Sequence, residues 1–156
     1  IENENMDLCC ENVDLIDLIE QCNKAFESKM KEKSINCIVE GKSTIACVDI
    51  SKFTQVLHNL LSNSIKYTEN GGKIIWKVYE KGNNKVITIT DTGIGIDERD
   101  IPFIFERFYR TDTSRQRKTG GSGIGLTIVK SIIKAHNGKI EVESKKGKGS
   151  RFTIIL

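Results

Sequence analysis

Residues 51–68 read SKFTQVLHNLLSNSIKYT, and their spacing predicts an amphipathic helix with two stripes. At about 100° per residue, one side collects the apolar residues Phe53, Val56, Leu57, Leu60 and Leu61. Asn59, Asn63 and Lys66 lie within roughly 60° of one another on another side. Asparagine is a mediocre helix former, so this stripe indicates a binding role, with a solvated polar face as the alternative. An amide oxygen suits Mg²⁺ that already carries phosphate, and a lysine suits a phosphate oxygen.

The segment DTGIGI at residues 91–96 follows a predicted strand at residues 86–90. Asp91 would therefore lie at the end of a sheet, where a fixed carboxylate can accept a hydrogen bond from an exocyclic amine. Gly93 and Gly95 permit positive φ angles and the close approach of a flat ligand. An Asp-x-Gly turn after a strand is common, so this motif gains weight only together with the others.

The segment GGSGIGL at residues 120–126 leads into a helix predicted from about residue 124 to residue 136. Glycines at a helix N-terminus leave N–H groups free beside the positive end of the helix dipole, and this favours an anion. A dinucleotide-binding fingerprint needs a strand immediately before the glycines, whereas residues 111–119 form a charged loop. The segment therefore predicts an anion site outside a doubly wound fold.

Between these two motifs, residues 103–110 read FIFERFYR and combine aromatic residues with arginines. From Arg107 to Lys118 the chain carries five cations against the single acid Asp112. A local positive field facing a polyphosphate is the functional interpretation. A solvated basic loop remains the alternative for the later cations, and less so for Arg110, which sits beside anchoring aromatic residues.

The remaining segments predict a mixed α and β chain. Helices are expected at residues 14–33, 51–68 and 124–136, one hairpin at 34–39 and 44–48, a second hairpin at 73–79 and 85–90, and two closing strands at 139–143 and 151–155. Because most neighbouring strands are joined as hairpins, we expect α+β architecture, with helices on one face of a mainly antiparallel sheet.

The composition limits which partners and which cellular setting we expect for the chain. The 156 residues carry 24 Lys+Arg against 21 Asp+Glu, a net charge of +3 that predicts no nucleic-acid partner. Hydrophobic residues make up 38% of the chain, which excludes a disordered tail and predicts a single domain. No apolar run approaches the roughly 20 residues of a membrane span, and the start at Ile1 suggests a fragment of a longer protein. The five cysteines form no CxxC pair, so we expect reduced, buried thiols in a cytoplasmic setting.

In their order, these segments resemble the catalytic and ATP-binding domain of bacterial sensor histidine kinases, in the GHKL superfamily that includes gyrase and MutL. The resemblance covers nearly all of residues 49–156. It rests on an N box at Gln55–Thr68 (QVLHNLLSNSIKYT), a G1 box at Asp91–Ile96 (DTGIGI), an F box at Ile104–Arg110 (IFERFYR), a G2 box at Gly121–Leu126 (GSGIGL) and a closing glycine motif at Gly147–Phe152 (GKGSRF). The implied fold is the Bergerat two-layer α/β sandwich, about five strands backed by about three helices, with a long ATP lid at about residues 97–122.

The resemblance also implies site roles. Asn63 would bind Mg²⁺ with Asn59 as its polar neighbour, and Lys66 and Arg110 would contact phosphates. The nucleotide would further meet Tyr67, Asp91, Gly93, Gly95, Ile96, Gly121, Ser122, Gly123, Ile124, Gly125 and Leu126. Ser64 stands where the family usually has alanine, a departure that touches no proposed ligand.

The resemblance implies a protein histidine kinase that binds Mg·ATP and transfers the γ-phosphate to a histidine on a neighbouring dimerisation domain. A response regulator would be the downstream partner, and the parent protein would be a homodimer anchored at the inner face of the cell membrane. Neither His58 nor His136 is followed by the acidic residue typical of the phosphoacceptor, so both are interpreted as structural or surface residues.

Two alternatives stay open at this point. A hydrolase of the gyrase or MutL kind carries a glutamate base four residues before the Mg²⁺-binding asparagine, where this chain has Asn59, so hydrolysis should be slow. A nucleotide-binding module with a regulatory or interaction role, without phosphotransfer, is the other alternative.

Overall fold

Helix α3 (Ile50–Tyr67) forms where its two stripes predict it. Its N-terminus is capped by Asp49, whose Oδ1 accepts a hydrogen bond from the N–H of Lys52 at 3.1 Å. At its other end, the ammonium of Lys33 donates to the carbonyl of Ile65 at 2.7 Å, which places a cation at the negative end of the dipole. The computed structural model describes residues 6–106 and 125–156, and the elements named below lie in those ranges.

A five-stranded mixed sheet forms one layer. Its strands run in the order β2 (Asn36–Gly41), β4 (Lys73–Lys81), β5 (Asn84–Asp91), β7 (Ser150–Ile155) and β6 (Lys139–Ser144). The β2–β4 pair is parallel and the other three pairs are antiparallel. The predicted hairpin between β4 and β5 is confirmed, and Gly82 adopts a φ of 62° in its turn.

Helices α1 (Leu15–Ala25), α3 and α4 (Gly125–Ala135) form the second layer, and the short α2 (Glu27–Glu32) follows α1. The apolar stripe of α3 is fully buried, and Trp76 of β4 is 0% exposed beneath the helices. The indole N–H of Trp76 donates to Asn23 Oδ1 at 2.9 Å, so its one polar atom is satisfied. The α+β two-layer architecture predicted from the sequence is confirmed.

The expected hairpin between residues 34–39 and 44–48 is wrong. Strand β3 (Ile45–Asp49) pairs with β1 (Cys10–Asp14), a strand the sequence analysis missed, while β2 pairs with β4. Asp14 directs this choice, because its carboxylate accepts hydrogen bonds from Ser43 Oγ at 2.6 Å and from the N–H of Thr44 at 3.1 Å. The segment that leads into β3 is therefore tied to β1 instead of to the main sheet.

The predicted helix at residues 14–33 divides into α1 and α2 at Phe26. The Phe26 backbone has φ −106° and ψ 8°, outside the helical region, and its ring packs edge-on against His58 at a centroid distance of 5.3 Å. An amphipathic pattern does not reveal such a break, because the apolar spacing continues across it.

The expectation of buried thiols holds fully only for Cys22. Cys37 is partly buried, whereas Cys9, Cys10 and Cys47 are exposed on or beside the β1–β3 ribbon, whose outer face no other element covers among the described residues. Burial raises the pKa of Cys22 to about 12 and that of Cys37 to about 11.

His136 ties the end of α4 to the start of α3. Its Nε2 accepts a hydrogen bond from the N–H of Asp49 at 3.0 Å, and its Nδ1 lies 2.8 Å from the carbonyl of Ile132. This pattern assigns the proton to Nδ1, which donates to that carbonyl. The ring also lies edge-on to Phe53, with the centroids 6.0 Å apart. The structural interpretation of this histidine therefore agrees with its contacts.

We expect His136→Ala to lower the free energy of unfolding by about 2 kcal/mol, because it leaves the Asp49 N–H without its acceptor and removes a ring from the core. Urea denaturation followed by circular dichroism measures the loss. His58→Ala is the matched control, since the one contact recorded for the His58 ring among the described residues is with Phe26. Equal losses in the two variants would contradict the tethering role of His136.

Candidate functional site

The site is built around Asp91, the last residue of β5. Its Oδ1 accepts hydrogen bonds from the N–H groups of Gly93 at 2.9 Å and of Ser150 at 3.3 Å. No donor among the described residues bonds to Oδ2, which therefore keeps its capacity to accept from a ligand. Burial raises the pKa of this carboxyl, while the hydrogen bonds from the N–H groups of Gly93 and Ser150 and the nearby hydroxyl of Ser64 oppose the rise. Asp91 is thus a nearly buried acceptor held in one orientation.

The turn after Asp91 packs against two other segments. A Cβ at Gly93 would collide with the carbonyl of Tyr67 at the end of α3, to which the N–H of Ile94 donates at 3.0 Å. Gly95 has a φ of 73°, and a Cβ there would meet the carbonyl of Lys145. The sequence analysis attributed both glycines to ligand approach and positive φ. In the structure only Gly95 has positive φ, and both glycines admit neighbouring backbone.

Of the three residues in the polar stripe of α3, only Asn63 belongs to the cavity wall beside Asp91. Asn63 and Tyr67 line one cavity together with Asp91. The Asn63 side chain has no hydrogen-bond partner among the described residues, so its amide oxygen is available to a ligand. The ammonium of Lys66 lies 5.5 Å from the centroid of the Tyr67 ring. Lys66 is not itself among the residues of the cavity wall.

The start of α4 contributes Leu126 to the cavity wall. Asn59 Nδ2 donates to the carbonyl of Gly125 at 3.4 Å, which brings the polar stripe of α3 against the first described turn of α4. Thr127 Oγ1 donates to the carbonyl of Phe105 at 2.9 Å and so anchors the segment that follows β5. The Phe105 ring lies edge-on to Phe152, with centroids 6.4 Å apart.

The resulting cavity is partly open to solvent and has a volume of about 80 Å³, smaller than the roughly 300–1,000 Å³ of a complete small-molecule site. Its wall consists of Asn63, Tyr67, Asp91, Ile94, Gly95, Ile96, Ile104, Leu126, Ser150 and Phe152. The wall is mainly apolar. Its side-chain hydrogen-bonding groups are the buried carboxylate of Asp91, the amide of Asn63 and two hydroxyls. It suits a flat heterocycle that donates a hydrogen bond from one edge and carries a polar extension toward α3.

Several predicted site residues fall outside the described ranges: Arg110, Gly121, Ser122, Gly123 and Ile124. The same applies to most of the predicted lid, of which residues 97–106 are described. Within that part, a short 3₁₀ helix spans Ile101–Phe103, and Ile104 turns into the core with 5% exposure.

Four wall residues were not predicted as site residues: Ile94, Ile104, Ser150 and Phe152. Ile94 belongs to the quoted DTGIGI segment, Ile104 opens IFERFYR, and Ser150 and Phe152 lie in the closing glycine motif. All four residues therefore lie within motifs that can be recognised in the sequence. Which residue of a motif reaches the cavity depends on strand pairing, such as the Asp91–Ser150 register of β5 with β7.

Comparison with known proteins shows the family to which the chain belongs. The family model described as histidine kinase-, DNA gyrase B- and HSP90-like ATPase matches residues 48–156. The chain belongs to this family. It is 43% identical over 111 residues to the sensor histidine kinase WalK of Bacillus subtilis, an alignment that covers 70% of this chain and 18% of that protein.

Solved structures narrow the assignment of the chain within this family. The catalytic domain of the histidine kinase ThkA superposes with a TM-score of 0.84 at 28% identity, covering 96% of this chain and 95% of that one. ThkA in complex with the response regulator protein TrrA gives a TM-score of 0.79 at 26% identity, covering 94% of this chain and 41% of that one. The chain is thus a GHKL ATPase domain of the sensor histidine kinase type with the Bergerat fold.

The chain spans between 14% and 33% of the length of four curated relatives that it matches. Among residues 6–106 and 125–156, no helix combines the length and the apolar character that a membrane crossing requires.

We expect Asp91→Asn to weaken ATP binding at least about tenfold. An asparagine can keep the hydrogen bonds to Gly93 and Ser150 through its oxygen, but its NH₂ group then faces the donor edge of the base. Isothermal titration calorimetry measures the affinity, and a thermal melt checks that the neutral side chain preserves the fold.

Asp17→Asn on the exposed face of α1 is the matched control, because it makes the same chemical change far from the cavity. Unchanged ATP affinity in Asp91→Asn would mean that this carboxylate does not bind the base.

Proposed function

We propose that the chain binds Mg·ATP and donates the γ-phosphate to a histidine on a neighbouring domain of its parent protein. The observation that carries this proposal is the single cavity that Asn63, Tyr67 and Asp91 line together with Leu126 at the start of α4. This cavity would bring together a base acceptor, an amide ligand and the start of a helix, three groups that suit a nucleotide triphosphate.

The base end of the proposal rests on the buried carboxylate. Asp91 Oδ2 would accept from the exocyclic amine of adenine, while apolar side chains such as Ile96 and Phe152 would contact the ring. A buried acceptor rejects a base that presents a carbonyl oxygen at the same edge, because two acceptors would face each other without a proton between them.

The phosphate end rests on α3. The residues present fit Mg²⁺, since the Asn63 amide has no competing partner among the described residues and neutral oxygen ligands suit a cation that arrives with phosphates. When bound, the cation would neutralise charge on the phosphates. Lys66, one turn beyond Asn63, would add positive charge to the same region, and we assign the same role to Arg110 and the glycines at 121–125 from the sequence.

Asn59 argues against a hydrolase. Its amide donates to the carbonyl of Gly125, and an amide cannot take a proton from water at neutral pH. Activated water therefore has no base at this position, and transfer to a positioned acceptor is the favoured reaction. Regulatory binding without phosphotransfer is the remaining alternative, and no specific contact favours it.

The acceptor must lie outside this chain. Both ring nitrogens of His136 are engaged, by the N–H of Asp49 and the carbonyl of Ile132, and His58 packs against Phe26. Neither histidine belongs to the cavity wall. We therefore assign the acceptor to a dimerisation domain and propose a response regulator as the downstream partner, as the ThkA–TrrA complex suggests. The proposal includes a homodimeric parent anchored in the membrane, with this domain on the cytoplasmic side.

The direct test mixes the chain with the isolated histidine-bearing domain of its parent protein and [γ-³²P]ATP. We expect an acid-labile, base-stable label on the acceptor domain, and slow phosphate release when the chain is alone. An unlabelled acceptor, despite calorimetric proof of ATP binding, would refute phosphotransfer and leave a nucleotide-binding module.

A second test isolates the metal contact. We expect Asn63→Ala to abolish the gain in ATP affinity that Mg²⁺ gives the unsubstituted chain, because the amide ligand is removed while the base contact at Asp91 remains. Calorimetry with and without Mg²⁺ measures the gain. Asn70→Ala, at an exposed position beyond the end of α3, should keep it. Persistence of the full Mg²⁺ effect in Asn63→Ala would exclude Asn63 as the ligand.

A further inference from the structure

Ser64 is a buried polar residue that the proposed function does not use. Its side chain is 2% exposed, and its Oγ is the one buried side-chain nitrogen or oxygen atom without a hydrogen bond among the described residues. A serine inside a helix commonly donates back to the carbonyl four residues earlier, but Ser64 does not. An unused buried hydroxyl costs free energy, so its presence calls for a physical reason.

This hydroxyl lies on the part of α3 that packs against the turn after Asp91, where the N–H of Ile94 donates to the carbonyl of Tyr67, one turn beyond Ser64, at 3.0 Å. The Ser64 Oγ lies close enough to join the donors that oppose the rise in the pKa of Asp91 caused by burial, although it does not complete a hydrogen bond of ordinary geometry. By its sequence, Ser64 is a departure that touches no proposed ligand. In the structure it lies beside the carboxylate of the proposed base acceptor.

Ser64 does not belong to the wall of the cavity, whereas its helix neighbour Asn63 does. A ligand in the cavity therefore meets Asp91 and not Ser64, and any effect of the hydroxyl on the ligand passes through the carboxylate. The two backbone donors to Asp91 both bond to Oδ1, so the carboxylate retains further acceptor capacity.

We propose that Ser64 is a positioning residue for base recognition, whose hydroxyl donates to the Asp91 carboxylate when an amino-purine occupies the cavity. The inference rests on the proposed binding of an adenine nucleotide. A bound base displaces water from the cavity. The negative charge of the carboxylate is then stabilised by hydrogen-bond donors of the protein. A small shift of either side chain closes the bond, and the carboxylate is held ionised and aligned with the ligand amine.

This arrangement predicts a defined dependence on pH. The groups that face Asp91 are Ser64 and Tyr67 from α3, Ile74 opposite it on β4, Ser150 from β7 and Gly93 from its own turn. Among the described residues, no charged side chain contributes to its pKa shift. The ligand amine needs an ionised acceptor, so affinity falls as pH falls through the pKa of Asp91. Loss of the Ser64 donor raises that pKa, and the fall then begins at a higher pH.

The test compares Ser64→Ala with Ser62→Ala, the same substitution at an exposed position of the same helix. Calorimetry gives the affinity for ATP from pH 5 to pH 8. The second ligand is purine riboside 5′-triphosphate, which lacks the exocyclic amine. A thermal melt of the nucleotide-free protein reports whether the fold is intact.

We expect Ser64→Ala to weaken ATP binding about tenfold at neutral pH and the amine-free analogue less than twofold. In this variant, the fall of ATP affinity with decreasing pH should begin at a higher pH. The melting temperature of the nucleotide-free variant should be equal or higher, because an unsatisfied buried hydroxyl has been removed. Ser64→Cys, which keeps a weak donor, should recover part of the affinity. Ser62→Ala should match the unsubstituted chain throughout.

Equal losses of affinity for ATP and for the analogue in Ser64→Ala would overturn the inference while leaving ATP binding in place. So would a fall of ATP affinity that begins at the same pH as in the unsubstituted chain. A lowered nucleotide-free melting temperature with parallel losses for both ligands would show a structural role only, and would also overturn it. If the unsubstituted chain bound neither ligand, the proposed function itself would fail, and the inference with it.

Discussion

A single constraint organises this domain: the nearly buried carboxylate of Asp91 must find its hydrogen-bond donors within the protein. Asp91 ends β5, and its Oδ1 is held by N–H groups from its own turn and from the paired strand β7. The turn can supply its donor only because it packs tightly against the end of α3 and the loop at residues 145–147. The sheet register and the glycines of the turn therefore support one acceptor, and we propose the same role for the hydroxyl of Ser64.

Helix α3 connects this acceptor to the rest of the site. Its apolar stripe fills the centre of the core, and this packing fixes the rotation of the helix about its axis. The rotation in turn directs Asn63 and Tyr67 into the cavity and Asn59 toward α4. Because His136 ties the far end of α4 to the start of α3, the two helices that flank the cavity are joined at the opposite end from it.

Local signals in the sequence predicted local structure well. The stripes of α3, the β4–β5 hairpin and the closing strands follow from spacing and turn residues close together in the chain. Pairing between distant segments was not predictable in this way: β3 joined β1 because the Asp14 carboxylate binds the segment before β3. β1 was missed for a related reason, since it is mostly exposed and shows no apolar alternation.

The sequence by itself determined the α+β class, the family resemblance and the residue types of the site, since these depend on periodicity and on motifs read along the chain. The tertiary structure decided which motif residues form the cavity, which thiols are exposed, and that Ser64 stands beside Asp91. The physical reason is that burial and hydrogen-bond partners are properties of pairs brought together across the fold. A serine on the buried side of a helix looks the same in sequence whether its hydroxyl faces a hydrocarbon or a carboxylate.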